Sequence, residues 1–328
     1  MSVGGDIPGD RPLPFIGVGI GIGIGIERPS IPIPTAKGWP DGVPPLGAVS
    51  NPSAVARLRR ALPYPQPMDL AGKVILITGA SAGFGAAAAL AFGRAGCHLL
   101  LGARRVPRLN EVATAAREAG AASARFHSLD VASTRSVTAF TEWVRDQHPT
   151  VDVLINNAGG ALGLDPVALG RDEDWEGMVQ SNFLGVLRMT RAILPLLPQH
   201  AGAWVLNVGS IAGHTAYEGG AAYCGVKAAE RSVTQALRLE LNGSGIRVGS
   251  LDPGMAETEF SLVRFQGDAA RAAKVYEGVQ PLTAADVAET MVWMVSRPPH
   301  VCVDELVLKP TDQAAIHKVY RRPVAPAA

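Results

Sequence analysis

Val74-Ile75-Leu76-Ile77-Thr78-Gly79-Ala80-Ser81-Ala82-Gly83-Phe84-Gly85 is the stretch on which the reading of this 328-residue chain turns. Val74 to Ile77 form a short continuous apolar run, the pattern of a strand buried on both faces. A glycine-rich turn follows at once, and then an Ala-rich stretch from about Phe84 to Ala95 that reads as a helix. Strand, turn and helix in that order point to a dinucleotide site. Gly79 permits the tight turn, Gly83 lets the backbone approach a pyrophosphate, and Gly85 allows close helix–strand packing. The helix start then offers free N–H groups to phosphate oxygens. Thr78, Ser81 and Phe84 join the three glycines as candidate cofactor-binding residues.

Moving outward, His98 to Leu101 read as a second strand and residues 108–118 as the next helix. Further strands are expected near Phe126, Val153, Trp204 and Val248. Repeated β-α-β units with buried strands predict an α/β fold: a doubly wound parallel sheet of the Rossmann type, with helices on both faces. Ligands in such sheets bind at the carboxyl ends of the strands, where strand order reverses. The second strand ends Leu101-Gly102-Ala103-Arg104-Arg105, without the acid that accepts a ribose hydroxyl of NAD. Two guanidinium groups suit a 2′-phosphate instead, which makes NADP the expected cofactor. A solvated basic pair is the plainer reading, but cations are unfavourable at a helix start, and a bound anion explains them better. Asp130 and Val131, after the third strand, are candidates for contact with adenine. Asn157, Ala158 and Gly159, after the fourth, suit a backbone lying along the cofactor.

Composition narrows the class. Apolar residues make up 47% and charged residues 18%, so most of the chain is expected to be globular. A net charge of +1 gives no global reason to bind nucleic acid or a membrane surface. Three widely spaced cysteines fit a reducing, cytoplasmic setting. No His-x-x-x-His or Cys-x-x-Cys pair occurs, so no metal site is expected. Residues 1–67 differ from the rest, being rich in Pro and Gly, with glycine at alternate positions from Gly17 to Gly25. That run is too short and Gly-rich for a spanning helix, and it lacks the basic start of a secretory signal. It reads as a flexible low-complexity extension before a single domain at 68–328. Met68 is alternatively the natural start.

Chemistry enters with Tyr223-Cys224-Gly225-Val226-Lys227. Residues four apart on a helix share a face, so Lys227 sits beside Tyr223. A nearby ammonium favours the phenolate and makes the phenol usable as a base. The spacing alone is common in proteins. Ser210, at the end of the Ala203–Val208 strand, reaches the same crevice and suits a hydrogen bond to a substrate oxygen. Asn182 lies on an earlier helix.

The order Thr-Gly-x-x-x-Gly-x-Gly, Asn-Asn-Ala-Gly, Asn, Ser, Tyr-x-x-x-Lys and Pro253-Gly254 resembles the short-chain dehydrogenase/reductase family over about residues 70 to 315. That resemblance implies a tetrad of Asn182, Ser210, Tyr223 and Lys227. Tyr223 would exchange the proton and Ser210 polarise the carbonyl. Lys227 would hold the nicotinamide ribose and tune Tyr223, and Asn182 would support a water-linked proton path. It also implies that Pro253, Gly254, Met255 and Thr258 line the nicotinamide and phosphate side, and that the protein is a homo-oligomer, a homotetramer. Ala103-Arg104-Arg105, Tyr217-Glu218-Gly219-Gly220 and Thr258-Glu259-Phe260-Ser261-Leu262-Val263-Arg264-Phe265 are similar to the NADP-dependent 3-hydroxy acid dehydrogenase branch. The implied substrates are small molecules such as L-allo-threonine, L-serine and malonic semialdehyde, with Arg264 on the substrate carboxylate. The plainer reading pairs Arg264 with Glu259 or Asp268. Glu218 departs from the branch, and a carboxylate near the pocket would repel acidic substrates. A carbonyl reductase of larger apolar ketones and a non-catalytic NADP-binding scaffold are the competing readings.

Overall fold

In the computed structural model, which describes residues 67–323, the apolar runs become neighbours in one sheet. Seven parallel strands are β1 (Val74–Thr78), β2 (His98–Ala103), β3 (Ser123–Ser128), β4 (Val153–Asn156), β5 (Trp204–Val208), β6 (Arg247–Pro253) and β7 (Glu305–Leu308). Their order is β3-β2-β1-β4-β5-β6-β7, so the winding reverses between β1 and β4. The seventh strand was not anticipated. Its Leu306 and Leu308 are flanked by Glu305 and the exposed Val307, an edge pattern rather than a buried run. The expectations placed on the 1–67 extension, Pro67 apart, fall outside the described residues.

Alternation along the buried strands sorts side chains onto two helical layers. Ile75, Ile77, Leu99 and Leu101 face α1 (Gly83–Arg94) and α2 (Val106–Glu118). Val74, Leu76, Leu100 and Leu154 face α3 (Thr134–Gln147) on the other side. The helix that carries Asn182 is broken into pieces. It comprises α4 (Asp172–Met178), a π-helical turn (Val179–Leu184), α5 (Gly185–Ile193) and a 3-10 turn (Leu194–Leu196). Pro195 lies within that last turn and removes an N–H donor, which limits further α-helix. The long α6 (Ala221–Glu240) packs against β6, and α7 (Phe260–Arg264), α8 (Ala269–Tyr276) and α9 (Ala284–Val295) follow. A small antiparallel pair, β8 (Gln313–Ala315) and β9 (Lys318–Val319), ends the described residues. Among them, no helix is long and apolar enough to cross a membrane.

One buried cation ties the sheet to its last helix. Arg247, 5% exposed at the start of β6, donates to Gly202 O and Arg297 O at 2.7 Å each. Its guanidinium lies 4.8 Å from the centre of the Trp204 ring. Burial lowers its pKa to about 10. Arg247→Met would leave the carbonyls it serves, Gly202 O and Arg297 O foremost, without that donor in a closed space. The expected loss is roughly 2–4 kcal/mol of stability, read from the urea midpoint. An unchanged midpoint would mean the burial cost of the cation equals what its bonds return.

Candidate active site

The glycine turn sits at the winding reversal, because β1 and β4 pair through Ile77 and Ile155. Gly79 and Gly83 have φ of +66° and +53°, a region that favours glycine. A β-carbon at Gly85 would lie 2.5 Å from Gly79 O and 2.6 Å from Asn157 Nδ2. Helix α1 opens with no side-chain cap and no acid in its first turn. Its leading N–H groups therefore stand ready for an anion, the fit a dinucleotide pyrophosphate requires.

Two candidate ligands also brace the fold. Thr78 is buried, and its Oγ1 accepts from Asn157 N and Ala158 N at 2.9 and 3.0 Å. Asn157 Nδ2 donates to Thr78 O at 2.9 Å. These side chains join the ends of β1 and β4 and so hold the crevice walls. Val131 is likewise core, packed under Gly185. Asp130 Oδ1 accepts from Ala132 N at 3.1 Å, which fixes the turn after β3. Gly159 is exposed, and a β-carbon there would strike Asn182 Oδ1 at 2.5 Å.

Beside the turn lies the basic pair. Ala80 N donates to Gly102 O at 3.2 Å, which brings the end of β2 against the glycine turn. Arg104 is exposed. Arg105 Nε reaches Ser81 Oγ at 3.3 Å, and its NH1 pairs with Glu259 at 2.9 Å. The anion that meets Arg105 in this structure is thus a carboxylate of the chain itself. Glu259 belongs to the segment after β6, which folds over the turn so that Thr258 lies 3.6 Å from where a Gly83 β-carbon would be. Pro253 ends β6, and Gly254 N donates to Leu308 O at 2.7 Å. Met255 N donates to Gln313 Oε1 at 2.7 Å, a support that the sequence reading missed.

Helix α6 carries Tyr223 and Lys227 on one buried face, 8% and 7% exposed. Ser210 caps a 3-10 turn (Ile211–Gly213), its Oγ accepting from Ala212 N at 3.1 Å. A β-carbon at Gly213 would lie 2.8 Å from Lys227 O, so this turn is seated on α6 beside Lys227. Lys227 Nζ donates to Val208 O at 2.8 Å and to Glu230 Oε2 at 2.7 Å. Burial alone would lower the lysine pKa. The negative charge of Glu230, with Tyr223 and Asp252 behind it, outweighs burial and leaves the pKa raised. Asn182 is fully buried in the π-helical turn, donating to Gly160 O and Met178 O at 2.9 Å each and accepting from Gly160 N at 3.0 Å. Its amide is thus committed to holding the chain after β4.

A cleft opens over Tyr223, lined also by Leu162, Gly163, Asp174, Trp175, Met178 and Arg264. Arg264 pairs with neither Glu259 nor Asp268 among the described residues. Its Nε donates to Gly163 O at 2.9 Å, and its guanidinium carbon lies 5.5 and 5.8 Å from the Tyr217 and Tyr223 ring centres. Its NH2 nitrogen is buried without a partner. Burial pushes the Tyr217 phenol up, against the nearby Arg264 charge. Glu218 is exposed and does not line this cleft, but the carboxylates of Asp165 and Asp174 do, facing Arg264 across it.

Behind Lys227 lies a charged cluster that the sequence reading passed over. Glu230 is 1% exposed and its Oε1 has no partner. Asp252, 2% exposed, accepts from His214 Nε2 at 2.6 Å. Burial raises its carboxyl above the usual range, against the pull of that histidine. His214 Nδ1 lies 3.7 Å from Glu305, which Arg231 holds at 2.7 Å. The only available signal was Glu230 three residues after Lys227, a spacing usually seen on solvated helix faces.

Among known proteins, the short chain dehydrogenase family matches residues 73–268. An NADP-dependent 3-hydroxy acid dehydrogenase of Schizosaccharomyces pombe is 40% identical, over 77% of this chain and 98% of the relative. A serine 3-dehydrogenase of Agrobacterium fabrum is also 40% identical, over 75% of this chain and 98% of that protein. The closed form of a serine dehydrogenase complexed with NADP+ aligns with a TM-score of 0.70 and 35% identity, covering 76% of this chain and all (100%) of that one.

Proposed function

This chain belongs to the short-chain dehydrogenase family, and we propose that it interconverts a small 3-hydroxy acid and its 3-oxo acid with NADP(H). The cofactor, when bound, supplies or accepts the hydride. The glycine turn and the open start of α1 bind its pyrophosphate, and Arg104 with Arg105 takes its 2′-phosphate. Tyr223 exchanges a proton with the substrate oxygen, which Ser210 holds by a hydrogen bond. Lys227 keeps a positive charge next to Tyr223 and favours its phenolate during oxidation. Asn182 positions the Gly159–Gly160 backbone that borders the site.

The observation that carries the substrate reading is Arg264. Its guanidinium is fixed beside Tyr223 with one buried nitrogen unpaired. A buried donor without an acceptor is costly, and a substrate carboxylate would relieve it. Relatives named for serine and for 3-hydroxy acids support the same reading. Leu162, Trp175 and Met178 favour a second reading, reduction of larger apolar ketones, because they give the cleft an apolar wall. NADPH oxidation with a panel of small oxo acids and bulky ketones separates the two. Turnover of bulky ketones alone would remove the acid reading. In Arg264→Met, kcat/KM for the acid is expected to fall about tenfold to a hundredfold, with little change for an uncharged substrate of similar size. Equal losses on both would make Arg264 structural.

A further inference from the structure

We propose that Glu230 is a positioning residue of the catalytic centre, whose buried carboxylate anchors and neutralises the Lys227 ammonium and so sets the pH range in which Tyr223 exchanges its proton. The inference rests on the Tyr223–Lys227 assignment, and not on which carbonyl compound is the substrate.

Geometry carries it. Lys227 Nζ has two protein acceptors, Val208 O on one side and Glu230 Oε2 on the other. Together they hold the ammonium in one place on a face closed to water. Without a counter-charge, a buried ammonium tends to lose its proton, and a neutral amine would give Tyr223 no positive neighbour. Glu230 moves that loss to higher pH. Its negative charge also tempers the effect of Lys227 on the phenol, so the pair presents Tyr223 with a weaker field than a bare cation would. Glu230 in turn has Oε1 unpartnered and fully enclosed; burial pushes its carboxyl up, and the Lys227 ammonium is the cation that opposes this.

Each element packed against the pair contributes charges of its own. On α6, Tyr223 and Lys227 face Glu230, and Arg231 turns outward to Glu305 on β7. On β6, Asp252 adds a second negative charge felt by both Lys227 and Glu230. On the turn after β5, His214 bonds Asp252 and so engages it from the far side. Of these groups, Glu230 is the one whose carboxylate touches the ammonium.

Removing the Glu230 charge has one sign on both partners. It makes the phenolate easier to form and the lysine easier to deprotonate, so both limbs of the pH profile move toward lower pH. Glu230→Gln is therefore expected to shift the rising limb of kcat/KM for alcohol oxidation down by about one pH unit or more. A falling limb from Lys227 deprotonation should appear at high pH. Glu230→Asp keeps the charge and should restore the parent profile in large part. A second measurement needs neither substrate nor cofactor. Phenolate absorbance of the free protein is titrated against pH, with Tyr223→Phe subtracted in each background. The Tyr223 signal is expected to appear at lower pH in Glu230→Gln than in the parent.

If Glu230→Gln folds poorly, Glu230→Met removes the charge and the enclosed carboxylate together and is expected to give the same downward shift. Profiles that fall in height with both limbs unmoved, and a Tyr223 titration that coincides with the parent's, would overturn the proposal and leave Glu230 a packing residue. Failure of the parent to turn over oxo acids would count against the substrate reading alone, because the absorbance titration remains decisive for Glu230.

Discussion

Tyr223→Phe is expected to fold and bind NADPH like the parent, yet to lose about 10²–10⁴-fold in turnover, the usual worth of a positioned acid–base group. The substitution removes one oxygen and keeps the ring. Tyr223 packs on Phe260 at 5.6 Å between ring centres and belongs to the small apolar cluster with Met178 and Ala212, contacts that the phenylalanine ring retains. Stability should move little, and the loss should appear in kcat rather than in cofactor affinity. Stopped-flow NADPH binding and steady-state turnover, measured on the same preparation, test both halves. Turnover within a few-fold of the parent would end the assignment of Tyr223 as the proton carrier. A joint loss of binding and turnover would mean that the phenol oxygen organises the crevice instead.

Neutralising the basic pair should change cofactor choice by a comparable factor. Arg104→Gln with Arg105→Gln is expected to weaken NADPH by roughly 1.5–3 kcal/mol per lost charged hydrogen bond, about a hundredfold or more for the pair. NADH, which lacks the 2′-phosphate, should bind much as before. Arg105 also loses its contact with Glu259, but both side chains are partly exposed, at 49% and 39%. An ion pair of that kind contributes about 0–1 kcal/mol, so the melting temperature should barely move. Fluorescence titration with both dinucleotides gives the ratio directly. Equal weakening of NADPH and NADH would place the 2′-phosphate elsewhere and leave Arg105 as a fastener for the segment after β6.

Much of this was legible in one dimension because the interactions concerned are local. A buried strand is mostly apolar, and Val74 to Ile77 and Trp204 to Leu206 are. The tight turn needs glycine where φ is positive, and Gly79 and Gly83 stand there. The four-residue spacing of Tyr223 and Lys227 follows from helical geometry alone. These features point to a parallel sheet and to the side of it on which a ligand binds.

What sequence spacing could not supply is who meets whom across the fold. Thr78 and Asn157 look like ligands beside the glycines, yet Thr78 Oγ1 accepts from Asn157 N and Asn157 Nδ2 donates to Thr78 O, because β1 and β4 are neighbours only once the sheet has formed. Glu259 reaches Arg105 across 154 positions of chain, and Arg264 reaches Gly163 across 101. Glu230 reads as a solvated partner three residues after a lysine, and only packing against the sheet removes the water that would have screened the pair. The sequence by itself determined the parallel sheet, the glycine turn and the Tyr223–Lys227 face, since each depends on backbone periodicity and residue size. The tertiary structure alone decided the ionic environment of Lys227 and the open nitrogen of Arg264, since the strength of a charge depends on burial, and burial is a property of the whole fold.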